Sequence, residues 1–237
     1  MNTKDIIIEL QTMSSDKYKT NVIKLGIPEK DSIGVSTSDV RKLAKSITKS
    51  NTLAKELWKT GYHEAKLLAV LLFDKKTLLL EDVEPLIEQV YSWDLCDHLC
   101  KNLLIKMKGY ESLITKWYSK NKTYTKRAAF TLIASAAIHD KKVSVETLND
   151  YLKIIHEYSN DEREHVKKAI SWALREIGKK DFNYQEKAIV LAHDLIETGS
   201  REQIWIGKDA LKELETLVKV EGRGRLISSK SKMGKEK

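Results

Sequence analysis

Three short segments in the second half of the chain resemble one another at a constant spacing. Each places a lysine shortly before an alanine, and the segments are Lys126-Arg127-Ala128-Ala129, Lys167-Lys168-Ala169-Ile170 and Lys208-Asp209-Ala210-Leu211. The spacing is 41 residues both times, from position 126 to 167 and from 167 to 208. HEAT and armadillo helix pairs recur every 40 to 47 residues or so. The spacing therefore predicts an α-solenoid of HEAT-like helical repeats, with chance similarity between alanine-rich helices as the alternative.

The composition favours helices over strands throughout. The 237 residues include only two prolines, Pro28 and Pro85, and 7% of the residues are aromatic. In the first half, periodic segments predict short helices over residues 3–13, 18–25, 40–48, 53–58, 64–73 and 83–91. Each has too narrow an apolar face to be stable alone, so the helices must stack on one another. We expect one all-α domain of HEAT-like repeats over residues 1–220.

The net charge of +8 favours an acidic partner such as nucleic acid. Beyond residue 220, glycine and serine alternate with basic residues, which predicts a mobile basic tail over residues 221–237. Such a tail either adds non-specific attraction for phosphates or is a solvated terminus. No stretch approaches the roughly 20 apolar residues of a membrane span, so we expect no membrane partner.

An aromatic residue and a carboxylate stand four residues apart in the segment 91–100. At about 100° per residue the segment predicts a helix, with Ser92 as its N-cap. Its apolar stripe consists of Leu95, Cys96, Leu99, Cys100, Leu103 and Met107. Trp93 and Asp97 share a row at the margin of this stripe, and capping does not explain Asp97. The simpler alternative to a functional role is that Trp93 packs at the edge of the helix and the Asp97 carboxylate is exposed to solvent.

The second unusual aromatic residue is Trp172, in a helix predicted over residues 161–180. Its helical neighbours are Lys168, Arg175 and Lys179, on the face opposite the apolar stripe. A bulky indole among cations indicates a ligand or a second packing surface. Coverage by a neighbouring helix is the alternative.

Arg127 precedes an uncharged run over residues 128–138 and stands near the start of the predicted helix, where the helix dipole disfavours a cation. A phosphate or a buried carboxylate would stabilise the guanidinium there through paired hydrogen bonds. A structural ion pair therefore remains an alternative to DNA binding.

A metal site or a cofactor is not expected. Asp94, Asp97, His98 and the two cysteines lie close together in sequence, but the thiols share the apolar stripe while His98 points elsewhere. The sequence also lacks a P-loop, a glycine-rich dinucleotide fingerprint and a nucleophile elbow. Buried cysteines of this kind fit a reducing compartment, and we expect a monomer in the cytoplasm.

Together these residues resemble the HEAT-like-repeat DNA alkylation-repair glycosylases, the AlkD-like family. The resemblance covers most of the chain through ordered motifs, which are Ile33-Gly34-Val35-Ser36, Val40-Arg41-Lys42-Leu43, Glu56-Leu57-Trp58, His63-Glu64-Ala65, Ser92-Trp93-Asp94 with Asp97, Lys126-Arg127-Ala128 and residues 167–175. It implies a curved solenoid whose basic concave surface holds duplex DNA.

The resemblance also implies roles for individual residues. Asp97 matches the catalytic aspartate of the family, and Trp93 and Trp172 match the aromatic residues that line its lesion site. We expect these three side chains to border one cleft. Arg127 and Arg175 match basic residues that face the DNA backbone. The lysines expected to bind phosphates beside them are Lys126, Lys167 and Lys168.

The implied activity is hydrolysis of the N-glycosidic bond of cationic N3- or N7-alkylated purines in duplex DNA, without a metal or cofactor. Ser92 stands where some members carry a second tryptophan, so two alternatives stay open. One is a non-catalytic DNA-binding HEAT-repeat protein. The other is a protein-interaction solenoid that binds an acidic peptide in its groove.

Overall fold

The computed structural model describes residues 1–236, so Lys237, the last residue of the predicted tail, lies outside it. Helices form nearly all of the regular secondary structure of these residues, which confirms the all-α prediction. None of the helices within residues 1–236 combines the length and apolar composition of a transmembrane segment. The chain divides into a first unit, Met1–Tyr110, and a second unit that begins at Glu111. Solenoids divide between repeats in this way, so the single domain over residues 1–220 stays a prediction.

The first unit consists of short helices. They are α1 (Thr3–Thr12), α2 (Asp16–Lys24), α3 (Thr37–Ser46), α4 (Asn51–Lys59), α5 (His63–Leu72), α6 (Glu84–Ile87) and α7 (Trp93–Asn102), with 3₁₀ turns at Glu29–Asp31, Leu80–Val83 and Leu104–Lys106. Side-chain oxygens of Asn2, Ser15, Ser36 and Ser50 cap the first four helices by accepting a backbone N–H. Helix α3 packs on α5, and α5 packs on α7. These contacts cover the narrow apolar faces that the sequence indicates.

A buried glutamate at the start of α5 holds the loop before α3. The Glu64 carboxylate accepts backbone hydrogen bonds from Ile33 at 2.9 Å, Gly34 at 2.7 Å and Val35 at 3.3 Å. Gly34 has φ +93°, and a Cβ there would lie 2.9 Å from the Cβ of Lys19, so only glycine fits. Two motifs that are distant in sequence therefore form one structural element.

Replacing Glu64 with alanine should destabilise the protein by about 3 kcal/mol or more, because each buried N–H left without an acceptor costs about 1 to 3 kcal/mol. Urea denaturation measures the change in the free energy of unfolding. Glu81→Ala is the matched control, since Glu81 is exposed and should change stability by less than about 0.5 kcal/mol. Equal effects of the two substitutions would contradict the assigned role of Glu64.

The second unit contains longer helices and one hairpin. They are α8 (Glu111–Trp117), α9 (Thr123–His139), α10 (Val145–Tyr158), α11 (Glu164–Gly178), α12 (Phe182–Glu197), α13 (Arg201–Leu214), β1 (Leu217–Val218), β2 (Ile227–Ser228) and α14 (Lys232–Lys235). Helix α11 packs on both α9 and α13, and α10 and α12 pack against each other and against α11. The repeated alanines Ala128, Ala169 and Ala210 are fully buried. Their small side chains allow the close helix approach that the 41-residue spacing predicts.

Contacts between successive helices recur at fixed sequence offsets. In the second unit, hydrogen-bonded pairs that are 38 residues apart include Arg127–His165, Ser171–Asp209 and Arg175–Glu213. In the first unit, three pairs are each 31 residues apart: Ile33–Glu64, His63–Asp94 and Leu67–His98. Equivalent positions of neighbouring repeats thus face each other, as in a solenoid. The offset is smaller in the first unit, where the helices are shorter.

The segment that follows α13 makes specific contacts. Its two short strands pair antiparallel, and Leu226 is buried. The guanidinium of Arg225 donates hydrogen bonds to the backbone carbonyls of Ala137 and Glu176, and also to the Glu176 carboxylate. Strands of two residues have no periodicity that a sequence could display, so the hairpin was not predicted. The mobility of residues 221–237 stays a prediction.

Candidate functional site

The first unit carries Trp93 and Asp97 on α7. Trp93 begins the helix and is 39% exposed, whereas Asp97, one turn later, is 9% exposed. One further turn along, the Lys101 ammonium lies 3.9 Å from the Asp97 carboxylate. An indole, a carboxylate and an ammonium therefore follow one another along one edge of the helix. This row, which we call the α7 site, contains the pair of residues that the sequence places together.

Packing and one hydrogen bond fix the start of α7. The whole predicted apolar stripe is buried, although α7 ends at Asn102, before the last two residues of the stripe. Ser92 occupies the N-cap position, but its hydroxyl makes no capping hydrogen bond, so that part of the prediction is wrong. Instead, Asp94 accepts a hydrogen bond of 2.8 Å from His63 of α5. Burial raises the pKa of Asp94, but the interactions with His63, together with weaker hydrogen bonds at the start of α7, outweigh it and hold the pKa below its ordinary value.

His98 is held as a neutral imidazole. Its Nε2 donates to the carbonyl of Leu67 at 3.1 Å, and its Nδ1 accepts from the amide of Asn102 at 3.2 Å. Burial, and then the charge of Arg41, lower the pKa of His98 to about 4. Because both ring nitrogens are occupied, His98 is suited neither to bind a metal nor to act as a general base. Within residues 1–236 there is no group of three metal-ligating side chains.

His98 should stay neutral, with its proton on Nε2, down to a pH of about 4. The unfolded chain binds this proton near pH 6.5, so the protein should lose stability as the pH falls from about 6.5 to about 4. Nitrogen-15 NMR reports both the tautomer and the titration, with the exposed His193 as the internal reference. A midpoint for His98 near 6.5 would contradict the burial and the hydrogen bonds described above.

In the second unit, Trp172 lies half-buried on α11. Its Nε1 donates a hydrogen bond of 3.2 Å to the carboxylate of Glu176. The same carboxylate also binds Lys179 and Arg225, each at 2.9 Å. The sequence places Trp172 among cations only, so Glu176 and Arg225 were missed. Helical spacing could have indicated Glu176, which stands four residues after Trp172. No sequence pattern indicates Arg225, because it belongs to the hairpin, 49 residues after Glu176.

The basic residues predicted to bind DNA all have partners within the second unit. Four ion pairs of 2.8 to 3.1 Å account for most of them: Lys126–Asp161, Lys167–Glu164, Lys168–Glu164 and Arg175–Glu213. Arg127 is 6% exposed and donates a hydrogen bond of 2.5 Å to the carbonyl of His165. Lys168 is the most exposed of the five. Their contacts with DNA, and the meeting of Trp93, Asp97 and Trp172 at one cleft, stay predictions.

No curated protein matches the chain. A solved structure, described as a new family of proteins related to the HEAT-like repeat DNA glycosylases with affinity for branched DNA structures, is 21% identical to it with a TM-score of 0.75. That match covers 100% of this chain and 94% of the other, and it establishes the HEAT-like repeat fold. The model of a family described as DNA alkylation repair enzyme matches residues 6–214. The chain therefore belongs to the DNA alkylation repair enzyme family.

Proposed function

We propose that the protein is a DNA glycosylase that hydrolyses the N-glycosidic bond of N3- or N7-alkylated purines in duplex DNA. Family membership supports a role in DNA alkylation repair. The observation that carries the finer proposal is the α7 site, where a mostly buried carboxylate follows a partly exposed indole by one helical turn. Asp97 is the proposed catalytic residue, and Trp93 is the proposed contact to the damaged nucleotide.

The chemistry needs a carboxylate but no strong general acid. An alkylated purine is already cationic, so it leaves as a neutral base with the electrons of the broken bond. Positive charge then develops on the deoxyribose, and a carboxylate directed at the sugar stabilises it. Water attacks the anomeric carbon, and its proton passes to the carboxylate or to solvent. A neutral, hydrogen-bonded His98 is compatible with this route, since no step requires an imidazole.

The aromatic residues fit a cationic base. The face of an indole attracts a cation by about 0.5 to 2 kcal/mol, and this attraction is largest where water is excluded. Trp93 exposes enough of its ring for such a contact. We propose that Trp172 is a further aromatic contact to DNA, because the hydrogen bond of Nε1 to Glu176 fixes the ring in one orientation.

A second candidate function is the recognition of branched DNA without base release. The solved relative is described as having affinity for branched DNA structures, and the two chains share their fold over nearly their full lengths. The net charge of +8 supports either kind of DNA binding.

Two measurements separate these functions. Duplex DNA is treated with a methylating agent and incubated with excess protein, and free 7-methylguanine and 3-methyladenine are quantified by chromatography. Release above the spontaneous rate supports the glycosylase. Absence of release, together with tighter binding of a four-way junction than of the duplex at equal salt, would instead support the second candidate.

A further inference from the structure

The connection between β1 and β2 carries a cation that joins two helices of the second unit, and the proposed function gives it no role. The guanidinium of Arg225 donates to the backbone carbonyls of Ala137 in α9 and Glu176 in α11. Both carbonyls lie in the last turn of their helices, where no N–H of the same helix reaches them. The backbone N–H of Leu226 donates to the carbonyl of Lys179, just beyond α11, at 2.8 Å. The hairpin is therefore anchored at the carboxyl ends of α9 and α11, where the helix dipoles favour a cation.

The same guanidinium also fixes how the carboxylate of Glu176 is turned. Its Nη2 donates to Oε2 of Glu176 at 2.9 Å. The other oxygen, Oε1, accepts hydrogen bonds from the Lys179 ammonium at 2.9 Å and from Nε1 of Trp172 at 3.2 Å. A rotation of the carboxylate would therefore break contacts at both oxygens. Glu176 is only 9% exposed, so water does not readily replace a partner that is lost.

Arg225 is better suited than Lys179 to set this orientation. The Lys179 ammonium is shared with the carboxylate of Glu213, at 2.7 Å, and it binds the same oxygen of Glu176 as Trp172 does. An ammonium is a point charge, whereas a guanidinium is a planar fork whose donors have fixed directions. One nitrogen of Arg225 binds both the carboxylate and the backbone carbonyl of Glu176. Arg225 thereby holds the carboxylate in one position relative to the backbone of α11.

The orientation of this carboxylate determines the orientation of a half-buried indole. Trp172 stands one helical turn before Glu176 on α11. An indole has a single polar N–H, so an acceptor at a fixed position selects one orientation of the ring. If the carboxylate turned away, the ring of Trp172 would lose the acceptor that selects its orientation.

We propose that Arg225 is a positioning residue for Trp172 and acts through the carboxylate of Glu176. The inference rests on the proposed function in taking Trp172 as a contact to DNA. The hairpin that follows the last helix of the repeats thus sets the orientation of an aromatic ring on α11. Loss of the Arg225 side chain releases the ring without removing it.

Nitrogen-15 NMR of the full chain tests this positioning directly. The five tryptophans give five indole N–H signals, and the signal that Trp172→Phe removes belongs to Trp172. In Arg225→Gln, the indole proton of Trp172 should exchange with water about tenfold faster, because its hydrogen bond to a charged acceptor is weakened. The signals of the other four tryptophans should not move, which separates this effect from a general loss of folding.

A second variant and a matched control accompany Arg225→Gln. Glu176→Gln leaves Arg225 its two backbone carbonyls, so the hairpin stays anchored, and it should change the same indole signal because an amide has only one acceptor oxygen. Arg223→Gln removes one positive charge from the same connection, and Arg223 is exposed and donates to the sulfur of Met233 at 3.2 Å. It should leave all five signals unchanged. An unchanged Trp172 signal in either Arg225→Gln or Glu176→Gln, or an equal change in Arg223→Gln, would overturn the proposal.

A double-mutant cycle tests whether the positioning matters for function. Trp172→Ala should lower the single-turnover rate of base release about tenfold, which corresponds to one cation–π contact. Arg225→Gln should lower it by a smaller factor, about threefold, because the ring is misplaced rather than lost. The double variant should release base at the rate of Trp172→Ala, since Arg225 acts through Trp172. A double variant whose loss equals the product of the two single losses would show that Arg225 acts independently and would overturn the proposal.

Failure of this proposal is distinguishable from failure of the proposed glycosylase. If wild type releases no base but Arg225→Gln and Glu176→Gln change the Trp172 signal, the glycosylase fails and the positioning stands, and the cycle is then measured on the affinity for duplex DNA. If wild type releases base but the Trp172 signal is the same in Arg225→Gln, the positioning fails and the glycosylase stands.

Discussion

Replacing Asp97 with asparagine should lower the first-order rate of base release about 100- to 1,000-fold. Asparagine keeps the size of the side chain but removes the negative charge that stabilises the developing positive charge on the sugar. Loss of one such electrostatic group costs about 2.7 to 4 kcal/mol of transition-state stabilisation. Binding of undamaged duplex should be unchanged or slightly tighter, because the Lys101 ammonium 3.9 Å away loses its acidic neighbour. Single-turnover release at saturating protein measures the effect.

The control for this substitution is Asp150→Asn. Asp150 forms an exposed ion pair of 2.8 Å with Lys153 in α10, so its replacement makes the same change in net charge outside the α7 site. Its rate of base release should equal that of wild type. A rate for Asp97→Asn that returned to the wild-type value at higher protein concentration would assign Asp97 to binding and remove it from catalysis.

Much of the fold could be predicted because it depends on local patterns. The 41-residue spacing indicates the helices α9, α11 and α13, and the capping serine Ser36 marks the start of α3. The boundaries of the predicted helices are less accurate than their existence. The helix predicted over residues 83–91 is reduced to α6, since Val83 still belongs to the preceding 3₁₀ turn and the helix ends at Ile87.

The α7 site could also be predicted, but the partners of the basic residues could not. Trp93 and Asp97 lie on one helix, so helical periodicity is sufficient to align them. The carboxylate that binds Lys126 belongs instead to Asp161, which precedes α11 and is 35 positions away in sequence. A charge pattern on one helix carries no information about a contact between helices.

Four exposed cations of the first unit, Arg41, Lys49, Lys75 and Lys106, also lie close together for a reason that the sequence does not display. Arg41 belongs to the Val40-Arg41-Lys42-Leu43 motif, but the three lysines come from separate segments. Each is an ordinary exposed lysine in its own segment. Their common position follows from the packing of α3 on α5 and of α5 on α7.

The second large effect that we expect is on stability, from Asp161. Its side chain is only 5% exposed, and its carboxylate binds Lys126 at 2.8 Å and Arg163 at 2.5 Å. Burial raises the pKa of Asp161, but the hydrogen bonds from Arg163 and Lys126 outweigh it and lower the pKa to about 2. Since the unfolded pKa is about 3.9, roughly 2 kcal/mol of stability is fully present above pH 4 and is lost as the pH falls through about 2.

Asp161→Asn should destabilise the protein by about 3 to 5 kcal/mol, because it leaves the Lys126 ammonium buried without its counter-charge. Thermal unfolding should show Tm lowered by roughly 10 to 15 °C. Asp150→Asn is again the control, and it should cost less than about 1 kcal/mol because its ion pair is exposed.

A double substitution separates a structural role of Lys126 from a role in DNA binding. Lys126→Met/Asp161→Leu replaces the buried pair by apolar side chains, which is often neutral or stabilising. Arg163 also loses the carboxylate of Asp161, but its side chain is 30% exposed and reaches solvent, so the variant should recover part of the stability that Asp161→Asn loses. If Lys126 serves mainly as the partner of Asp161, this variant should also bind duplex DNA with the salt slope of wild type. A slope lower by about 0.9 would instead show that Lys126 contacts a phosphate, as the sequence predicts.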